Sequence, residues 1–262
     1  MTEKRPLILI SNDDGITAPG IKILVETMKT LGEVVVVAPD SPQSGMGHAI
    51  TINKPLRLDK SDYFGEDVLA FQCSGTPADC VKLAIDKVLH RKPDLLVSGV
   101  NHGSNSSINV IYSGTMSAAV EGAIDGINAI GFSLLNYSYD ADFSACVPII
   151  EKVASEVLKN KLPEGVLLNV NIPDLPLGKI KGIKVSRQAR AKWVEEFDER
   201  QDPTQRKYYW LTGRFENMDQ GEDTDEWALK NGYASVVPCQ FDLTAHHAIS
   251  ILNHWNLHDK TE

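Results

Sequence analysis

The stretch Ile8-Leu9-Ile10-Ser11-Asn12-Asp13-Asp14-Gly15-Ile16-Thr17-Ala18-Pro19-Gly20 decides how the rest of the chain is read. Leu7–Ile10 is a continuous apolar run, the pattern of a strand buried on both faces. It breaks into the polar turn Ser11-Asn12-Asp13-Asp14-Gly15, and a helical pattern follows over Gly20–Leu31. Two adjacent carboxylates at such a turn repel one another. Desolvated, they are costly unless a cation or hydrogen-bond donors compensate.

Outward from this unit, strand and helix patterns alternate as far as about Ile172. Apolar runs recur at Val34–Ala38, Val68–Phe71, Leu95–Ser98, Ile130–Leu134 and Val166–Val170, with helical patterns over Pro77–His90, Thr115–Gly126 and Phe143–Leu158. Apolar strands separated by amphipathic helices predict an α/β fold with a parallel sheet covered on both faces. Thr76-Pro77-Ala78-Asp79 is a capping box with proline at the first helical position. Ile50–Leu58 and Val68–Phe71 read as an inserted pair of strands.

After Pro173 the character changes. Ser186–Asn217 is charged and aromatic, with Asp202-Pro203 as a turn, and reads as a projecting β-hairpin arm for which the main sheet has no room. The run Asp219–Glu226 reads as a solvated acidic loop, Tyr233–Pro238 as a returning strand and Leu243–Trp255 as a final helix. The expected division is a core over 1–185 and a C-terminal oligomerisation region over 186–262. An aromatic-rich hairpin of this kind is expected to be covered by another surface, often a second subunit.

Composition bounds the function. The chain has 262 residues, of which 42% are hydrophobic and 23% charged, as in ordinary globular proteins. A formal net charge of -9 argues against a duplex nucleic-acid binder. No apolar run reaches the ~20 residues that span a bilayer, and the apolar segment at the N-terminus is too short for a secretory signal. Cys73, Cys80, Cys146 and Cys239 are scattered, with no Cys-x-x-Cys pair, which fits reduced thiols in the cytoplasm.

In open parallel sheets, ligands bind at the carboxyl ends of the strands. That rule gathers several polar clusters at one edge: Asn12-Asp13-Asp14-Gly15, the loop Ala38–His48, the segment Ser98–Asn105, and Ile111–Thr115. The cluster is rich in carboxylates, amides and hydroxyls, with His48 and His102 as its imidazoles. Oxygen ligands of this kind suit Mg²⁺, Mn²⁺ or Ca²⁺ better than zinc. Ser113-Gly114-Thr115 at a helix start offers backbone N–H groups and hydroxyls to an anion. A divalent cation beside a phosphate cradle points to phosphoryl-ester hydrolysis. Helix caps at Thr76 and Thr115, and an Asx turn at Asn12, explain parts of the pattern without any ligand. The histidines at 247, 254 and 258 read as decoration of a half-exposed terminal helix.

The ordered blocks NDDGI, APDSPQSGMGH, GTPADCV, SGVNHGSN and YSGTMSAAVEGA, with RQARAKW, YYWLTG and GYASVVP further on, resemble the SurE family of metal-dependent nucleotidases, the survival-protein phosphatases. The resemblance implies a Rossmann-like core and a C-terminal arm that builds a homodimer or homotetramer. It implies one divalent cation per subunit, Mg²⁺ or Mn²⁺ with Ca²⁺ as a substitute, on Asp13, Asp14, Ser44 and Asn101. The implied activity is that of a 5′-nucleotidase releasing phosphate from nucleoside 5′-monophosphates; activity on 3′-monophosphates or short polyphosphate stays open. Asp13, Asp14 and Asn101 would carry the chemistry, and Asn105, Ser113, Gly114 and Thr115 would bind the phosphoryl oxygens. Whether an aspartate or a water attacks phosphorus stays open. So do two rivals: a haloacid-dehalogenase-like phosphatase with an aspartyl-phosphate intermediate, whose Asp-x-Asp spacing Asn12-Asp13-Asp14 does not give, and a non-catalytic nucleotide-binding module.

Overall fold

A computed structural model describes residues 5–255 and 257. Its centre is a nine-stranded sheet. In chain order the elements are β1 (Leu7–Ser11), α1 (Pro19–Lys29), β2 (Glu33–Pro39), β3 (Leu58–Lys60), β4 (Leu69–Cys73), α2 (Pro77–Leu83), β5 (Leu95–His102), α3 (Gly114–Ile124), β6 (Ala129–Leu134), α4 (Val147–Asn160), β7 (Val166–Ile172), β8 (Ile183–Val185), β9 (Ala191–Gln201), β10 (Lys207–Asn217), α5 (Asp225–Lys230), β11 (Ala234–Gln240) and α6 (His246–Leu252). The strand order is β3-β4-β2-β1-β5-β6-β7-β11-β8. From β4 to β7 every pairing is parallel. β11 enters antiparallel to β7, and β3 antiparallel to β4.

β1 lies at the heart of the sheet because its apolar run leaves no polar face: Leu7, Ile8, Leu9 and Ile10 are all fully buried. Ile8 and Ile10 join the core cluster shared with α1 and α4. Leu9 faces the opposite cluster beneath α2 and α3. On α1, Ile21, Leu24, Val25 and Met28 recur at helical spacing and are buried, while the helix starts on Pro19. The helix packs so closely on β5 that a Cβ at Gly20 would lie 2.0 Å from the carbonyl oxygen of Val100.

Four expectations need correction, the last of them at the final helix. Ile50–Arg57 forms no strand, and only Leu58–Lys60 pairs with β4, which itself belongs to the parallel sheet. Ile50 and Ile52 have no apolar surface to enter and stay exposed. The segment serves α2 instead: Thr51 N–H donates to Asp79 Oδ1 and Ala49 O accepts from Thr76 Oγ1. The helix expected over Pro77–His90 begins at its capping box but is α-helical only to Leu83, then widens into a π turn over Ala84–Val88. The acidic run Asp219–Glu226 is a solvated loop only as far as Asp223. Asp219 and Asp223 pair with Arg187, Thr224 caps α5, and Asp225 is fully buried, accepting N–H groups of Ser107 and Ala189 at 2.8 Å. A carboxylate in the first turn of a helix is stabilised by the unpaired backbone N–H groups there.

The arm forms a separate two-stranded sheet, β9 against β10 in unbroken antiparallel register from Ala191↔Asn217 to Gln201↔Lys207. Its root is tied down by Trp193, whose indole N–H donates to Asn109 Oδ1 at 2.8 Å. Further out, Phe197, Tyr209, Trp210 and Leu211 are all more than half exposed. The final helix is shorter than expected, His246–Leu252, and exposes Ile249 and Ile251. His247 and His254 are exposed, and His258 lies outside the described residues.

The close contact at Gly20 is testable. Gly20→Ala should destabilise the fold by about 1–3 kcal/mol, the range for forcing one extra methyl into a packed site. Gly178→Ala, where nothing lies within 4 Å of the added carbon, should stay within about 0.5 kcal/mol. Urea unfolding of the two variants is the measurement, and equal stabilities would contradict the packing described.

Candidate active site

β1 and β5 run side by side as far as Ser11 opposite Ser98, and β5 continues past the end of β1 to His102. β5 is irregular between Ser98 and Asn101. Gly99 at φ +120° makes that possible, and a Cβ there would lie 2.3 Å from Phe132 O. The irregularity carries Asn101 to the strand end beside the Asn12–Gly15 turn. The Asx turn expected at Asn12 does not form: its Nδ2 donates to Gly15 O at 2.8 Å and closes the turn from the other side, while its buried Oδ1 has no hydrogen-bond partner among the described residues.

Asp13 is 3% exposed and faces the first turn of α3. Thr115 Oγ1 donates to Asp13 Oδ1 in a short hydrogen bond, and backbone N–H groups of Gly114 and Thr115 also face the carboxylate. Contact is close enough that a Cβ on Gly114 would lie 2.6 Å from Asp13 Cβ. Burial pushes the Asp13 pKa up, and these donors offset part of that rise. Asp14 is half-buried, with Oδ2 accepting the His102 N–H at 3.3 Å. Burial, and then the neighbouring charge of Asp13, push its pKa up to about 7.

Among the described residues no lysine, arginine or histidine side chain offsets this pair. The remaining donors at the edge are oxygens. Asn101 is buried and commits Nδ2 to Gly103 O at 2.8 Å, which leaves Oδ1 as the atom available to a ligand. The Ser44 side chain is exposed on a loop moored at both ends, by Gln43 N–H to Asp13 O at 2.7 Å and by Gly47 N–H to Tyr112 O at 3.2 Å. Two carboxylates, an amide oxygen and a hydroxyl fit a hard divalent cation, whose charge would offset their repulsion.

The helix-start turn differs in detail from expectation. Ser113, not Thr115, is the N-cap of α3, with Oγ accepting the Met116 N–H at 3.0 Å. Accepting that bond leaves its own hydroxyl proton free to donate. Thr115 instead spends its proton on Asp13, because it points back toward the strand end. Asn105 is held elsewhere in the edge, in a buried network with Ser133, Asn169 and Asn171. The fold thus brings Asp13, Gly114 and Thr115 into contact, with Asp14 beside them and Ser113 at the rim; Asn101 precedes the His102 N–H that meets Asp14, but among the described residues no side-chain hydrogen bond joins Asn101, Ser44 or Asn105 to the aspartates.

One constellation is absent from the sequence expectations. Glu121, two turns along α3, is buried and bridges two other elements. Its Oε2 lies 2.8 Å from His48 Nε2, and Oε1 takes a short bond from Lys82 Nζ. Burial alone would raise the Glu121 pKa, but the bonds from His48 and Lys82 outweigh it and hold the carboxyl below its ordinary value. The one legible signal was a lone glutamate inside the small-residue helix Ser117–Ile124. Beside this edge opens a cavity of about 750 Å³, lined by His48, Ser113, Met116, Val120, Leu167 and Phe241 among others.

Comparison with known proteins agrees with this architecture. The family model described as "Survival protein SurE" matches residues 8–195. A Flavobacterium johnsoniae protein named 5′-nucleotidase SurE is 63% identical over 257 residues, covering 98% of this chain and 99% of its own. A protein of the same name from Christiangramia forsetii is 65% identical, covering 99% and 100%. The crystal structure of the SurE protein from Aquifex aeolicus superposes with a TM-score of 0.83 at 41% identity, covering 95% of this chain and 98% of that one. With the family model spanning β1 through the start of the arm, and relatives alike from end to end, the chain belongs to the SurE family.

Proposed function

We propose that this chain is a 5′-nucleotidase, a phosphomonoesterase that converts nucleoside 5′-monophosphates to nucleoside and phosphate. The names of its relatives support the activity. The observation that carries the site is the burial of Asp13 against the first turn of α3, which unites the paired carboxylates with the Ser113 turn. Asp13, Asp14, Ser44 and Asn101 would hold one divalent cation, Mg²⁺ or Mn²⁺ by the all-oxygen donor set. Bound there, such a cation supplies Lewis-acid polarisation of a phosphoryl oxygen.

The chain's own residues do the rest. The Ser113 hydroxyl and the N–H groups at the start of α3 bind phosphoryl oxygens as negative charge moves onto them. Thr115 fixes the rotamer of Asp13. Gly114 keeps the approach open, since any side chain there would collide with Asp13. Asn105 steadies the neighbouring strand ends and supplies an amide at the same edge.

A homodimer or homotetramer built through the C-terminal region completes the proposal. Isolated two-stranded hairpins are marginal in water, yet β9–β10 carries large apolar groups on both faces. The exposed apolar residues of α6 add to the surface a second copy would cover. A cytoplasmic location is part of the same proposal, supported by four cysteines that are all free. No helix of the described residues is long and apolar enough to cross a membrane.

Asp13→Asn and Asp14→Asn should each lower kcat/KM for AMP by about 1000-fold or more, the scale of losing Lewis-acid stabilisation. Chelation should abolish turnover reversibly, with Mn²⁺ or Mg²⁺ restoring it. Full activity of the chelated protein would sink the proposed metal site. Ser113→Ala and Thr115→Ala should each cost roughly 10- to 1000-fold in kcat/KM, and Thr115→Ser should recover most of the loss. Ser113→Ala also removes a cap worth ~1 kcal/mol, so a kinetic loss that merely tracks melting would make the turn structural. Light scattering at micromolar concentration should give the mass of a dimer or larger even-numbered assembly. Deleting residues 192–214 across a Gly-Ser bridge should give monomer or aggregate. A clean monomer mass for the intact chain would overturn the assembly.

A further inference from the structure

The His48–Glu121 pair lies outside the cluster that would hold cation and phosphate, yet its histidine borders the cavity that Ser113 borders. The loop carrying His48 is moored to the site at Asp13 O and Tyr112 O. Glu121 meets it from α3, the helix whose first turn forms the proposed phosphate cradle. The glutamate side chain is 4% exposed, and that of His48 is 34% exposed. A buried carboxylate on one imidazole nitrogen fixes the ring and stabilises its charged form, leaving the other nitrogen for chemistry. Here Glu121 takes Nε2, so Nδ1 is the nitrogen available. Lys82 on the far carboxylate oxygen keeps Glu121 ionised. The cavity's remaining walls are largely apolar, as a nucleoside requires.

Resting on the nucleotidase proposal, we infer that His48 is the general acid that protonates the departing nucleoside oxygen and that Glu121 is its positioning residue. In the step, the P–O5′ bond breaks, O5′ keeps the electron pair, and the Nδ1 proton passes to it. Water attacking phosphorus becomes the new phosphate oxygen, and its released proton restores the imidazolium. No oxidant, reductant or further co-reactant is needed. The nucleoside alkoxide is a poor leaving group and gains most from a positioned acid, which is worth about 10²- to 10⁴-fold.

Comparing two esters tests this. p-Nitrophenolate leaves without protonation, whereas the 5′-alkoxide of adenosine does not. His48→Gln should lower kcat with AMP by about 10²- to 10⁴-fold and with p-nitrophenyl phosphate by less than about tenfold. Glu121→Gln should show the same ordering with a smaller loss. Thermal melting of each variant reports whether it folds; if His48→Gln does not, Glu121→Gln decides. Losses equal for both esters, or no loss with AMP, overturn the assignment while leaving the nucleotidase proposal standing. An unsubstituted protein inactive on both esters with Mn²⁺ present overturns that proposal, and the proton donor with it.

Discussion

The desolvation of Asp13 against the start of α3 is the constraint from which the site's geometry follows. A carboxylate that is 3% exposed and flanked by a second carboxylate is tolerable only where donors or a cation answer it. The Thr115 hydroxyl and the N–H groups of α3 answer part of the cost, and they do so only if α3 starts within hydrogen-bond reach of the end of β1. That requirement fixes the glycine at 114, because any Cβ there would overlap Asp13. The irregularity in β5, made possible by Gly99, is a separate feature that sets Asn101 at the same edge. Glu121 then carries the influence of α3 outward, holding His48 and tying in α2 through Lys82.

An acidic chain acting on an anionic substrate has to reverse its own field locally. With a net charge of -9, bulk electrostatics would repel a nucleotide. In the proposed site the reversal would come from short-range sources: the N–H dipoles at the head of α3 and a cation held by Asp13 and Asp14. These act over a few ångströms, within a Debye length at physiological salt. Their placement therefore matters more than the total charge.

Much of the architecture was written plainly in the sequence. β1 and β2 are built on uninterrupted runs of Leu and Ile or of Val, and they left no choice of face to decide. The α2 start was legible because Thr76-Pro77-Ala78-Asp79 states a local rule satisfied within four residues. The Asp13-Asp14 turn and the Ser98–Asn105 segment were legible as neighbours because strand-end loops of a parallel sheet must converge, whereas Asn101 was singled out only by the family resemblance. What escaped depended on partners far away in the chain. Ile50–Arg57 looked like a strand, and only the needs of the α2 cap, some 25 residues on, keep it irregular. Asp225 looked solvated, but it is buried by N–H groups from Ser107 and Ala189. Glu121 was invisible as a site residue because nothing in its own helix says that His48 lies opposite. The exchange of capping roles between Ser113 and Thr115 follows the same logic, since only the position of Asp13 determines which hydroxyl turns inward.

β11 lies inside the large sheet, between β7 and β8, although it is the last strand in the chain. During synthesis, β7 therefore emerges with one edge unpaired, and β8 emerges with no strand to join. Both wait while the whole arm and α5 are made, until Ala234–Gln240 leaves the ribosome and closes the gap. A chain released early would keep an open β edge of the kind that recruits other strands. The β11 segment is thus a latch: the large sheet is sealed only once Ala234–Gln240 is available to it.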